Sequence, residues 1–313
     1  MKTKPARTPF SPYAYLPLGV VMVLLVSGII LLINFINKFD ISTQAPYQLP
    51  PAQQALDYYL ISYADGPEVF AQNRNLLVSS AINRGFDFIF NYRREHLDHQ
   101  YIQQHPILNE KTGAGFWLWK PYLILKTLQH MPDGAILMYA DCGLLIQQPL
   151  RAYFAKGLSI PGKDVLLFNY NPQYYGYAAR CAHRDTFTAL NCQSTKCRLG
   201  HHVWAGLIVV RNSKASRQFI AQWLKYCEQD QLLKGNYGTQ SNFPEFVFHQ
   251  HDEAILSVLS AREAPVVNFM PIDKEFSQHI NIHRRKIYNQ SMIPYLINGQ
   301  TNVYDGPFLP TSD

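Results

Sequence analysis

Among the 313 residues of the chain, a short set of side chains has the types and spacing for chemistry. Asp141 interrupts the apolar run AILMYADCGLLI at 135–146, and an acidic pair, Asp252 and Glu253, heads the segment HDEAILSVLSA. His279 and His283 lead a basic run continued by Arg284, Arg285 and Lys286, while Trp117, Trp119 and Lys120 follow the glycines of TGAGFWLWK. An unpaired carboxylate is costly to bury, so Asp141 belongs at a strand end or beside a cation. A carboxylate with an imidazole is a divalent-metal pair, and guanidinium groups hold a diphosphate through parallel hydrogen bonds. The set suits group transfer from a nucleotide-activated donor. Each feature also has a plainer reading: Asp141 as a turn residue, Asp252 as an N-terminal helix charge, the tryptophans as packing and the basic run as a solvated face.

The elements that must position these groups read as an α/β alternation. YYLISYA at 58–64 is a compact strand ended by Asp65-Gly66-Pro67, and QNRNLLVSSAINRG has helical spacing with Gly85 as its stop. FDFIFNY at 86–92 is a second strand, so strand, helix and strand imply a parallel crossover. Pro121 suits the first turn of a helix ending near His130, and Pro132-Asp133-Gly134 turns the chain into a strand from Ala135 that leaves Asp141 at its carboxyl end. Ligand crevices of open α/β sheets lie at those ends. VLLFNY and WAGLIVVRN are further strands, 171–203 is an irregular insertion, and SKASRQFIAQWLKYCEQD and HQHDEAILSVLSA are helices.

The composition, 47% hydrophobic and 16% charged, excludes a disordered polymer, and a net charge of +6 makes a phosphate-bearing ligand admissible. Residues 16–36 carry no charge and are long enough for a helix to cross a bilayer. Lys2, Lys4 and Arg7 precede them, which keeps the amino terminus cytoplasmic. The expected organisation is a cytoplasmic tail (1–15), a transmembrane helix in the lipid bilayer (16–37), a Pro- and Gln-rich stem (38–55) and a catalytic domain (56–313). On an oxidising side, Cys181, Cys192 and Cys197 are close enough for one disulfide; a zinc site with His183, His201 and His202 is the alternative, although the usual ligand spacings are absent. A two-metal phosphoesterase needs clustered carboxylates, and the sequence has no such cluster.

The run GAGFWLWKPYLILKTLQHMPDGAILMYADCG resembles a family of GT-A-fold glycosyltransferase-like proteins in which G-x-G-[FY]-W-x-W-K-P-Y precedes a helix and a Y-x-D-x-G strand end. WAGLIVVRNSKASRQFIAQW and HQHDEAILSVL resemble later segments of that family, the match running over about residues 56–290. The resemblance implies a GT-A-like, Rossmann-type mixed sheet flanked by helices, and a hexosyltransferase-like enzyme taking a nucleotide sugar and a glycan or other hydroxyl acceptor, with no nucleic acid as partner. A non-catalytic carbohydrate-binding protein of the same fold is the alternative. Asp141 stands where such enzymes carry D-x-D, a motif that ligates Mn²⁺ or Mg²⁺, but here Cys142 and Gly143 follow and the second carboxylate is missing. Either Asp141 holds a divalent cation with His279 or His283, or basic residues alone neutralise the leaving group. The resemblance further casts Asp252 as the base, Lys120 and Arg284 as diphosphate contacts, Tyr63 and Asp65 as nucleoside contacts, and Trp117 and Trp119 as substrate-lining rings. The expected location is type II in a membrane with a Golgi-like lumenal domain, or the inner membrane of a bacterium.

Overall fold

A computed structural model describes residues 56–235, 238, 240–283 and 302–305. The segment 16–37 and Arg284 lie outside the described residues; among the described ones no helix is long and apolar enough to cross a membrane. The strands are β1 (Tyr58–Tyr63), β2 (Phe88–Tyr92), β3 (Ile136–Ala140), β4 (Leu144–Ile146), β5 (Val165–Asn169), β6 (Val203–Arg211), β7 (Val267–Pro271), β8 (Ile280–Ile282) and β9 (Asn302–Asp305). The main sheet has the order β7-β5-β6-β3-β1-β2-β9, and β6 runs against the other strands, so the architecture is a mixed α/β sheet. β4 and β8 form a separate antiparallel pair.

Four longer helices matter to the site: α1 (Glu68–Ala81), α2 (Trp119–His130), α3 (Lys214–Cys227) and α4 (His251–Arg262). Side chains alternate across each strand, so the sheet carries two cores. Tyr59, Ile61 and Tyr63 of β1 and Leu137 and Tyr139 of β3 pack with residues of α2, α3 and α4. Leu60, Ile136, Met138 and Ala140 face the opposite layer, which contains Leu77 and Val78 of α1. α3 owes its place to the apolar 3-4 spacing of Phe219, Ile220, Trp223 and Cys227, all buried, and to Ser213 and Ser216, which cap its start reciprocally.

The sequence spacing puts the first helix too late. It begins at Glu68, straight after Pro67, and ends before Gly85 because Asn83 already turns left-handed, with φ of 59°. The insertion at 171–203 is not structureless: it folds as short helices at Pro172–Tyr175, Ala178–Cys181, Arg184–Ala189 and Thr195–Arg198. Within it Cys192 pairs with Cys197 as a disulfide, and Cys181 stays a buried thiol. His183 caps a helix by accepting from the Asp185 amide, and the His202 ring faces the Tyr175 carbonyl at 3.2 Å.

Candidate active site

A cleft of about 1130 Å³ opens where β1 and β3 end. The tripeptide Tyr-Ala-Asp occurs at both ends, as 63–65 and 139–141. Period-two geometry turns each aspartate to the side of its tyrosine. Tyr63 accordingly donates to Asp65 Oδ2 at 3.2 Å, and Tyr139 donates to Asp141 Oδ1 at 2.5 Å. Each carboxylate also meets a cation: Arg94 Nη1 lies 3.8 Å from Asp65, and Lys120 Nζ lies 3.6 Å from Asp141.

Lys120 sits in the first turn of α2, the end of a helix that disfavours positive charge, and it is only 2% exposed. Two carboxylates hold it there. Besides Asp141, Asp252 Oδ2 from the first turn of α4 lies 3.0 Å from Nζ, and the rings of Trp119 and Tyr139 lie 5.8 and 5.4 Å from it. Burial drives the Lys120 pKa down, but Asp141 and Asp252 outweigh it and the net direction is up. Asp252 moves the other way from a charged carboxylate: burial raises its pKa, Lys120 lowers it, Glu253 and Asp141 raise it, and it comes to rest at about 7. The result is an ion triad, Lys120 and Asp252 buried and Asp141 partly open to the cleft, with a carboxylate poised to exchange a proton near neutrality.

Glu253, beside Asp252, is committed to structure. Its Oε2 accepts from the Ala205 amide at 2.9 Å and its Oε1 lies 3.2 Å from His202 Nε2. Burial works against charging His202, but contacts with Cys181 and Glu253 push its pKa up to about 11. The Cys142 thiol, pushed up to about 12 by burial and by Asp141, is a poor nucleophile at neutral pH. His249 also lines the cleft and is held neutral, its pKa lowered to about 3 by burial, His251 and His183.

The aromatic wall comes from an unusual backbone. Gly113, Ala114, Gly115, Phe116 and Trp117 all have positive φ, from 50° to 100°, and so wind as a left-handed turn. A left-handed conformation costs a non-glycine residue about 1–2 kcal/mol. The turn is held by Phe116 donating to the Thr112 carbonyl at 2.7 Å and by Trp119 Nε1 donating to the Gly113 carbonyl at 2.9 Å. It lays Trp117 against His251, ring centroids 5.7 Å apart, and Trp119 against Tyr63 at 4.1 Å. Both glycines are required: a Cβ on Gly115 would lie 2.5 Å from Leu108 Cα, and one on Gly113 would strike the Trp117 ring. Gly115→Ala is therefore expected to lose about 1–3 kcal/mol of stability, read as a lower urea midpoint.

The structure brings Tyr63, Asp65, Trp117, Trp119, Lys120, Asp141 and Asp252 to one cleft. It does not bring His279 or His283 to the cleft lining. His279 stacks on Tyr153 at 4.4 Å and faces the Glu275 carbonyl at 2.9 Å. His283 is tied through its backbone amide to Gly143, and its buried Nε2 has no hydrogen-bond partner among the described residues. Residues that sequence reasoning missed are Tyr139, Arg94, His249 and Gln250; the doubled Tyr-Ala-Asp was the signal for the first.

A divalent cation does not fit the described residues. Among them no three His, Cys, Asp or Glu side chains are grouped to hold a metal. Asp141 Oδ1 already faces the Tyr139 hydroxyl and the Lys120 ammonium, which would repel a second cation.

No family model matches the chain, and no curated protein matches its sequence. Among solved structures it is similar to mouse xyloside xylosyltransferase 1 in its apo form, at 14% identity and TM-score 0.39, covering 70% of this chain and 86% of that one. The galactosyltransferase LgtC in complex with donor and acceptor sugar analogues is similar at 12% identity and TM-score 0.37, over 76% of this chain and 84% of that one. The apo bifunctional glycosyltransferase WbbM is similar at 13% identity and TM-score 0.40, over 72% of this chain and 40% of that one. Likenesses at these TM-scores carry no chemistry over to this chain.

Proposed function

We propose that the chain is a membrane-anchored glycosyltransferase that moves a hexose from a nucleotide-sugar donor to a hydroxyl of a glycan or other acceptor. The observation that supports this reading is the triad of Asp141, Lys120 and Asp252 opening on a cleft at the carboxyl ends of parallel strands. Its volume of about 1130 Å³ suits a ligand the size of a nucleotide sugar. In this reading Tyr63, Asp65 and Arg94 take the nucleoside, with the Asp65 carboxylate accepting from hydroxyls or ring N–H groups. Trp117 and Trp119 offer apolar faces to sugar rings. Asp252, near neutrality in pKa and lining the cleft, is the general base that removes the acceptor proton. The domain would occupy 56–313, with 16–37 in the bilayer and the cleft on the lumenal side of a Golgi-like compartment, or at a bacterial inner membrane. The Cys192–Cys197 disulfide is in keeping with an oxidising side.

A second reading, a carbohydrate-binding protein without turnover, is favoured by one feature: Cys142 and Gly143 follow Asp141 where a second carboxylate would stand. Incubation with a panel of UDP-, GDP- and CMP-sugars and simple methyl glycosides, followed by mass spectrometry, separates the two. Transfer or hydrolysis of one donor class is the expected result. No turnover by the wild type, together with sugar binding that is unchanged in Asp141→Ala, would leave only the second reading.

A further inference from the structure

The buried lysine has more in it than a contact. The other carboxylates lining the cleft have partners of their own: Asp65 with Arg94, Glu110 with Lys234 at 3.1 Å, and Glu253 with His202. Among the described residues lining the cleft, Lys120 serves two, Asp141 at 3.6 Å and Asp252 at 3.0 Å, so the triad carries one net negative charge while both are ionised and none once Asp252 is protonated. A negative triad repels a diphosphate and a neutral one does not. The ammonium is nearly sealed from water, so this change of charge is felt at low dielectric and is weakly screened.

Resting on the glycosyltransferase reading, we propose that Lys120 is the resident counter-charge of the site, released from Asp252 to the departing phosphate as Asp252 takes the acceptor's proton, so that transfer needs no divalent ion. In the step, the acceptor oxygen forms a bond to the anomeric carbon and gives its proton to the Asp252 carboxylate. The bond from that carbon to the donor phosphate oxygen breaks, its electron pair leaving with the nucleoside diphosphate. Lys120 stays protonated throughout, and its partner changes from a carboxylate that has become neutral to a phosphate that has become more negative. This is a single displacement, so the anomeric configuration inverts. The hand-over places positive charge where negative charge develops, and at the moment it develops.

The groups facing Asp252 are Lys120 from α2, Asp141 and Tyr139 from β3, Cys227 from α3 and Glu253 on its own helix. Of these, Lys120 supplies the positive charge. The test measures binding of UDP, GDP and CDP to the full chain in EDTA, and again with Mn²⁺ or Mg²⁺, at pH 6 and pH 8. One diphosphate is expected to bind equally well with and without metal. At pH 8, Asp252→Asn should bind it about tenfold more tightly than the wild type. The two should converge at pH 6, where wild-type Asp252 takes up its own proton. Binding or transfer that disappears in EDTA and returns with Mn²⁺ overturns the proposal and leaves the glycosyltransferase reading standing. Equal binding by the two proteins at pH 8, or retention of anomeric configuration in the product, also overturns it. If no nucleoside diphosphate binds under any condition, the reading beneath it falls as well.

Discussion

Asp252→Asn is expected to lower sugar transfer by about 10²–10⁴-fold with the fold intact. The amide keeps the shape of the carboxylate, so α4 and its contact with Trp223, whose Nε1 donates to the Asp252 carbonyl at 3.0 Å, are undisturbed. What is lost is what an amide cannot supply: acceptance of a proton, and the negative charge that faces Lys120. The wild type makes its own check through pH. Burial, with Glu253 and Asp141, pushes the Asp252 pKa up to about 7 against the pull of Lys120. Below pH 7 the base is increasingly protonated, so the rate should fall about tenfold per pH unit and level off above 7. In the asparagine variant that limb should vanish from the residual rate. Stopped assays of product between pH 5 and 9 measure both, and a residual limb of equal slope would assign the titration to another group.

Lys120→Ala should be the most destabilising substitution in the cleft. Removing one partner of a buried ion pair leaves a charge without compensation and costs about 3–5 kcal/mol. The Asp252 and Lys120 side chains are 5% and 3% exposed, so solvent does little to relieve that charge. The cost must also depend on pH. Asp252 has a folded-state pKa above its ordinary value of 3.8, and losing Lys120 raises it further. A carboxyl raised in this way favours the folded state at low pH, where it is neutral, and that contribution disappears as pH rises through the folded-state pKa. The deficit of Lys120→Ala in urea unfolding should therefore be small near pH 5 and largest near pH 8. A deficit independent of pH would mean that the lysine contributes through packing of its stem instead of its charge.

The strand and helix assignments around the cleft were legible because they rest on local pattern. The apolar run before Asp141, Pro121 at a helix start and the 3-4 spacing of α3 each speak for themselves. β4, β8 and β9 were missed for the opposite reason: they span three or four residues and pair with distant segments, β4 with β8 and β9 with Phe88–Tyr92; β7 is as long as β3, but it pairs with Val165–Asn169, far earlier in the chain. The site divides in the same way. That Asp141 would seek a cation follows from the cost of burying charge. That the cation would be Lys120, and that Asp252 would share it, depends on the first turns of α2 and α4 converging at the end of β3, which no single segment encodes. The left-handed turn was legible only as two glycines; the positive φ of Ala114, Phe116 and Trp117 between and beyond them falls on residue types that do not announce it.

The two Tyr-Ala-Asp strand ends differ in one respect that reaches beyond geometry. At the first, Asp65 and Arg94 have side chains 24% and 35% exposed; at the second, Asp141 is as open, at 29%, but its cation Lys120 and that cation's other partner, Asp252, are all but dry. Dissolved ions screen exposed charges over a Debye length of about 8 Å at physiological ionic strength and hardly touch buried ones. Added salt will therefore loosen the Asp65–Arg94 pair and hardly touch the Lys120–Asp252 pair, so that affinity and turnover, ordinarily entangled, come apart along the ionic-strength axis.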